Sequence, residues 1–417
     1  MTVTTHQLEA TGTADPDDLI HRITATPEGH SDPYGLYRQL RTVAPIHRSG
    51  LDGVWYVSGF DACREVLGDP RIGKNDQFIV PRHGVDPERV RLARRRRSRR
   101  SMITANPPEH TRLRGAAKGA FIPPAMNALR SRVAAIVAER LDRLAELGEA
   151  DVMAELAFPM PVTVVGEMIG VPEEDRAWFR PLMRTLVSSD SFKRSPDELA
   201  EVERAGDELD AYFLELIARR RKEPADDLLS YFVAQADDGL LSEDELFSTV
   251  TLLFFAGFLT TTNLIGNGLT ALFDHPAEQA RLWAQPELAP AAVEEILRFD
   301  SPVQFVHRNV LEPFELDGHQ LAAGDVVLVL LAAANRDPAR FAHPDRFDVG
   351  RPDNLHLAFA WGLHFCLGAR LARMEGQLIF EGLVDRFARV EPAGEPVRNP
   401  GLAIRGFDAL PVRFTPR

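Results

Sequence analysis

One long apolar stretch, roughly Val250 to Phe273, narrows the folds open to this chain more than any other feature. It is too long for a strand, and Thr251, Thr260, Thr261, Thr262, Asn263 and Asn267 interrupt it. A lipid-facing span does not carry that much polarity in its middle. A helix apolar on all sides needs a large interior around it. The chain has 417 residues, enough for such an interior without disulfide or metal staples. Its 2 cysteines exclude a disulfide framework and suit a reducing cytosol. Residues 1–10 show no basic start followed by an apolar run, so no signal peptide or membrane anchor is expected, and the expected location is cytoplasmic. Against 48 Lys and Arg stand 61 Asp and Glu, a net charge of −13, which disfavours nucleic acid as a partner.

Along the chain, residues 1–32 are polar and turn-rich and read as a loose lead-in. Helix spacing covers Pro33 to Val43, with a short strand in Gly53–Gly59 and a short helix over Phe60–Leu67. Residues 71–105 show no period and read as a long loop, and helical patterns dominate from 107 to about 235. Three more helices follow over 242–300, then hairpins over Phe314–Leu331 turning at Asp317-Gly318 and Ala323-Gly324. A last helix runs from near Cys366 to about Val384, and Leu402–Phe414 reads as strand. No repeat and no linker is visible. The expected architecture is one mostly α domain over 33–417 with small β-sheets.

Two nucleotide-binding look-alikes fail on chemistry. Gly68 to Asn75 nearly matches a phosphate loop, but it ends in Asn rather than Ser or Thr, and Pro70 removes a backbone N–H. Gly266-Asn-Gly268-Leu-Thr-Ala271 lies inside a helix pattern, where the N–H groups are already used. The informative segment is Phe359-Ala-Trp-Gly362-Leu-His364-Phe-Cys366-Leu-Gly368-Ala-Arg370. It places one Cys where a Gly-containing loop enters a helix, a setting that stabilises a thiolate. Gly362 and Gly368 permit close approach of a planar ring. A lone Cys is more often buried structure, but the joint Phe, Gly, His, Cys, Gly spacing favours a ligand, and one thiolate without a second ligand set suits haem better than zinc.

These residues resemble the cytochrome P450 superfamily, the haem-thiolate monooxygenases, over essentially the whole length from about residue 33. The soluble actinobacterial type that tailors polyketides is the most similar. The resemblance implies haem b (iron protoporphyrin IX), with Cys366 as the axial iron ligand and Phe359 and Gly368 beside it. It departs at Ala360, where the family usually has Gly, and predicts an altered turn there. Glu295-Ile-Leu-Arg298 resembles the family's E-x-x-R helix and implies a buried structural pair. His110 and Arg114, at i and i+4 in Pro108–Arg114, together with Arg308 and His364, are implied to meet the haem propionates. Ala256-Gly257-Phe258-Leu259-Thr260 resembles the oxygen-activation motif, with Thr260 as the catalytic hydroxyl. A kink at Ala256-Gly257 is expected to open the helix. Leu259 stands where the family usually has Asp or Glu, so the proton supply is displaced elsewhere.

By the same analogy Phe254, Phe255, Phe258, Leu259, Val303, Phe305 and Phe407 are implied substrate contacts. Their apolar character indicates a large hydrophobic substrate. Electrons are expected from a separate ferredoxin and ferredoxin reductase, with Arg112 part of a docking surface. The run Arg89–Arg100 holds eight Arg in twelve residues. Such runs are usually solvated, but an acyl carrier protein or an anionic substrate is drawn by one. The leading expectation is hydroxylation or epoxidation of a macrolide or similar polyketide. Alternatives are oxidation of a carrier-bound or anionic substrate, an atypical oxidation such as aromatic coupling or desaturation, and a haem sensor without turnover.

Overall fold

Proline opens helix after helix in this chain, because its fixed φ suits the first helical turn, where its missing N–H costs nothing. The computed structural model describes residues 14–74, 101–187 and 196–417. Proline sits in the first turn of α1 (Pro16–Ala25) and α2 (Pro27–Ser31). After α3 (Tyr34–Val43) come the strands β1 (Ile46–Arg48) and β2 (Trp55–Val57), α4 (Phe60–Gly68) and β3 (Ile72–Gly73). The helical half holds α5 (Glu109–Lys118), α6 (Pro123–Leu147), β4 (Glu149–Asp151), α7 (Pro159–Ile169), α8 (Phe179–Val187), α9 (Pro196–Lys222), α10 (Leu228–Asp237), α11 (Glu243–Asp274), α12 (Pro276–Ala284) and α13 (Ala289–Phe299). The remainder is β5 (Val306–Val310), β6 (Phe314–Leu316), β7 (His319–Leu321), β8 (Val326–Val329), α14 (Ala369–Arg386), β9 (Phe387–Pro392), β10 (Val397–Arg398), β11 (Phe407–Ala409) and β12 (Pro411–Pro416).

The apolar stretch is α11, 32 residues long, and it starts on a reciprocal cap between Ser242 and Glu245. By length and composition it could cross a membrane, yet most of that window is buried inside the protein. It packs on α7, α13, α14 and α10. Gly257 lets α7 come close, since a Cβ there would stand 2.7 Å from Val165. Gly268 does the same for Phe380 of α14 and Ile296 of α13. The Gly266–Ala271 look-alike is therefore a helix-packing surface.

The β portion forms a five-stranded sheet in the order β1-β2-β8-β5-β3, a three-stranded sheet β4-β12-β9 and two two-stranded ribbons. The turn at Asp317-Gly318 is a hairpin, with φ of 46 and 82 at its two residues. The turn at Ala323-Gly324 is not. β8 leaves β7 to lie antiparallel to β5 and parallel to β2, because its Val326–Val329 side chains are buried on both faces.

The lead-in needs correcting. Within residues 14–32 the chain forms α1 and α2, with Leu19, Ile20 and Ile23 buried against α3. Local polarity hid a three-residue apolar face.

Candidate active site

The Cys366 loop is held open by two left-handed residues. Ala360 has φ 58 and Gly362 has φ 69. A Cβ at Gly362 would stand 2.4 Å from the carbonyl of Leu67, so α4 requires glycine there. Ala360 keeps the left-handed turn that an altered loop would have lost, at a strain of about 1 kcal/mol. The Cys366 N–H donates to the Phe359 carbonyl at 2.9 Å, which closes the loop. Burial pushes the Cys366 thiol up, while the Gly368 N–H, Arg114 and Arg373 pull it down. A Cβ on Gly368 would meet nothing within 4 Å. Among the described residues no three His, Cys, Asp or Glu side chains converge on one point. Cys366 thus stands as a lone candidate ligand, which suits a metal that brings its own ring.

Beside the loop lies a cluster of cations without anions. His110 is 1% exposed, and neither ring nitrogen has a partner. Its ring meets that of His364 edge-on with centroids 4.5 Å apart, and His364 Nε2 also lacks a partner. Arg308 is 3% exposed and donates only to the carbonyl of His307, at 2.9 Å, among the bonds resolved. Burial alone pulls its guanidinium down to about 10. Arg114 donates to the Phe365 carbonyl at 2.7 Å. Burial, then Arg308, His110, Lys74 and Arg114, hold His364 down to about 3. Buried donors with nothing to bind, and Arg308, Lys74 and Arg114 crowded around His364 with no anion among them, fit a group bearing carboxylates. Haem, with two propionates and a planar ring, meets that description. Lys74, whose Nζ donates to the His307 carbonyl at 2.9 Å, belongs to this cluster. Sequence reasoning missed it, because its only motif was the failed phosphate loop.

Helix α11 carries Thr260. Helical residues run unbroken through the Ala256-Gly257 pair where the kink is expected, with an exposed Ala256 and a partly exposed Thr260. The Thr260 hydroxyl reaches the Ala256 carbonyl only at 3.5 Å. Phe255, Leu259, Val303 and Phe305 are likewise partly exposed. Phe254, Phe258 and Phe407 correct the expectation. Phe254 and Phe258 are 0% exposed within an aromatic cluster that includes Phe179, Phe213 and Phe158. Phe407 is buried against Gly266 and lies under Arg398. All three are core, because neighbouring side chains cover them, which their spacing alone did not reveal. Arg112 pairs with Glu245 at the start of α11, with its side chain still 46% exposed. The run Arg89–Arg100 lies outside the described residues.

Glu295 and Arg298 form two hydrogen bonds, at 2.8 and 2.9 Å, and both side chains are 0% exposed. Arg298 also donates to the carbonyls of Asn335, Pro344 and Arg346. Glu295 also accepts from Asp348, Arg351 and Asn354. Next to it, Glu294 accepts from Arg373 and contacts His356, tying α13 to α14 and to the chain before the Cys366 loop. Nothing in the sequence pairs those three.

The family model for Cytochrome P450 matches residues 74–289 and 283–402. Cytochrome P450 monooxygenase PikC of Streptomyces venezuelae is 41% identical over 395 residues, covering 92% of this chain and 91% of that protein. Polyketide biosynthesis cytochrome P450 PksS of Bacillus subtilis is 35% identical, covering 93% of this chain and 97% of the relative. Among solved structures, P450BioI in complex with an acyl carrier protein ligated to hexadec-9Z-enoic acid matches with TM-score 0.84 and 34% identity. It covers 93% of this chain and 100% of that one.

Proposed function

The chain belongs to the cytochrome P450 family and is a haem-containing monooxygenase, and from that premise we propose that it oxygenates a large hydrophobic polyketide or macrolide. The observation that carries the reading is that Phe255 and Leu259, beside Thr260 on α11, keep partly exposed apolar surface, which suits an apolar ligand. The naming of one relative for polyketide biosynthesis supports it.

In this reading Cys366 is the iron ligand, Phe359 and Gly368 flank it, and His110, Arg114, Arg308 and His364 hold the propionates. Bound haem supplies the oxygen chemistry. The chain's own residues do the rest. The unpartnered donors of His110 and His364 and the buried Arg308 gain the anions they lack, which orients the ring. The apolar border excludes water and orients the substrate. The Thr260 hydroxyl, held only weakly by Ala256, is free to turn toward the cleft. Electrons come from a separate ferredoxin and its reductase.

A second reading, oxidation of a carrier-bound or anionic substrate, has two supports. One is the run Arg89–Arg100. The other is a structural neighbour solved with an acyl carrier protein. One titration separates the two. The Soret band of the ferric protein is followed with neutral macrolides, acidic polyketides and acyl chains on carrier proteins. A blue shift with a free neutral macrolide supports the first reading. A shift only with acidic or carrier-bound ligands, lost when Arg94–Arg97 become Gln, moves the assignment to the second.

A further inference from the structure

A loop between β10 and β11 covers part of the α11 face that carries Thr260. Ala256, Thr260, Asn263 and Asn267 fall at helical spacing on that face. Ala256 is exposed and Thr260 partly exposed, whereas Asn263 and Asn267 are 2% and 0% exposed. Residues 399–406 provide the cover. The Asn267 amide donates to the Arg405 carbonyl at 3.1 Å. Asn399 donates to the Asn263 side-chain oxygen at 3.4 Å, and a Cβ on Gly406 would collide with that same oxygen. Three residues, about 4.5 Å of helix, separate Asn263 from Thr260. The loop therefore ends the exposed stripe just beyond Thr260.

Arg405 fastens this loop. It is 6% exposed, and its Nε donates to Asp300 at 2.9 Å. Its two terminal nitrogens donate to the carbonyls of His30 and Ser31 at the end of α2, at 2.8 and 2.7 Å. Its backbone N–H donates to the Pro302 carbonyl at 2.8 Å. Asp300 also accepts from the Tyr34 hydroxyl at 2.7 Å, and its carbonyl accepts from Asn267 at 3.1 Å. One side chain thus ties α2, the end of α13 and the loop together. The residues held by it differ in exposure: 405–407 are buried, while 401–404 keep partly exposed surface. Within that stretch Ile404 forms an isolated bridge with Val303, which is partly exposed as well.

We propose that Arg405 is a positioning residue for the substrate. By fixing residues 401–404 next to Thr260, it sets how a ligand can lie along α11 and which of its atoms is presented for oxidation. The guanidinium is spent on Asp300 and α2, so it acts through the loop. Helix α2, in a segment that reads as a loose lead-in, becomes part of the support of the site. The inference rests on the monooxygenase chemistry and not on the identity of the substrate.

Azoles that bind ferric haem iron serve as rulers, with the binding constant of each read from the Soret band. Imidazole is small, and phenylimidazole adds a ring that must find room along α11. Arg405→Gln is expected to lower the preference for phenylimidazole over imidazole roughly tenfold, because the ligand must order a loosened wall. The imidazole constant and the carbon monoxide difference spectrum of the ferrous protein stay unchanged. Arg405→Lys, which can still meet Asp300, recovers part of the preference. An Arg405→Gln protein that melts earlier but keeps the wild-type preference has lost only fold stability, and that result overturns the proposal. If Arg405→Gln does not fold, Gly406→Ala is read. Its methyl group must push the loop off Asn263 and lower the preference, and Asn263→Ala in that background must restore it. An unchanged preference in Gly406→Ala, or no recovery in the double variant, is equally fatal. A wrong substrate reading leaves the azole preference in place and removes only the Soret response to polyketides, so the two failures are distinct.

Discussion

Two buried charged clusters frame the Cys366 loop, and they are opposites. Around Glu295 and Arg298 every charge is answered. The pair is bidentate, three carbonyls take the remaining guanidinium donors, and three further donors reach the carboxylate. Around His110, Arg308 and His364 the donors find no carboxylate. Both clusters are buried and both contain arginine, so burial and residue type do not separate them. Hydrogen-bond accounting does. The closed cluster stabilises the fold, and the open one is built for a group from outside the chain.

The largest expected effect comes from opening the closed cluster. Arg298→Met leaves Glu295 charged and buried, and should cost about 3–5 kcal/mol in denaturant unfolding, with or without haem. A loss under about 1 kcal/mol would remove the distinction between the clusters.

Acid probes both clusters, in different windows. Against burial, which would raise it, His356 and Arg373 hold the Glu294 carboxyl down to about 2. A folded pKa below the unfolded value of 4.5 contributes stability above 4.5 that is lost as the pH falls toward 2. That contribution is up to about 3 kcal/mol. Burial, then Arg114, lowers the pKa of His110 below 6.5. There the unfolded chain takes up the proton first, so stability falls as the pH drops below 6.5. Apoprotein melting curves against pH should therefore weaken in two stages. Glu294→Gln should erase the contribution lost below 4.5, and His110→Phe should shrink the upper stage, whose remainder belongs to His364, held down to about 3.

Filling the open cluster with an apolar residue should act with the opposite sign on the two forms. Arg308→Leu removes a buried, unanswered cation. The apoprotein should be unchanged or more stable by about 1 kcal/mol. The holoprotein should lose haem faster, as read by transfer to apomyoglobin. Destabilisation of both forms would make Arg308 structural.

The smallest effect sharpens the loop between the clusters. Ala360→Gly relieves a left-handed alanine and should raise thermal stability by roughly 1 kcal/mol, less the extra freedom of the unfolded chain.

The Cys366 loop was legible because its parts are contiguous. Phe359 through Gly368 lie within ten residues, so the turn, the thiol and the helix start can be read in one window. The same holds for α11, whose length and polarity fit only a buried helix. The aromatic positions were less legible. Phe254, Phe255 and Phe258 are within five residues of one another, yet only Phe255 keeps exposed surface, because Phe179 of α8 and Phe213 of α9 cover Phe254 and Phe158 covers Phe258.

By itself, then, the chain's order of residues determined the local conformations: the capped α11, the Cys366 loop, the i, i+3 pairing of Glu295 with Arg298. Only the tertiary structure decided which charges would be answered. Arg298 meets carbonyls 37, 46 and 48 residues away. Arg308, in a strand of equal burial, meets only the carbonyl beside it among the bonds resolved. Arg405 reads as one more arginine of the tail until Asp300, Asn267 and the end of α2 close on it. The reason is physical. Burial and partnership are properties of space around a side chain, and that space is filled by residues far away in sequence.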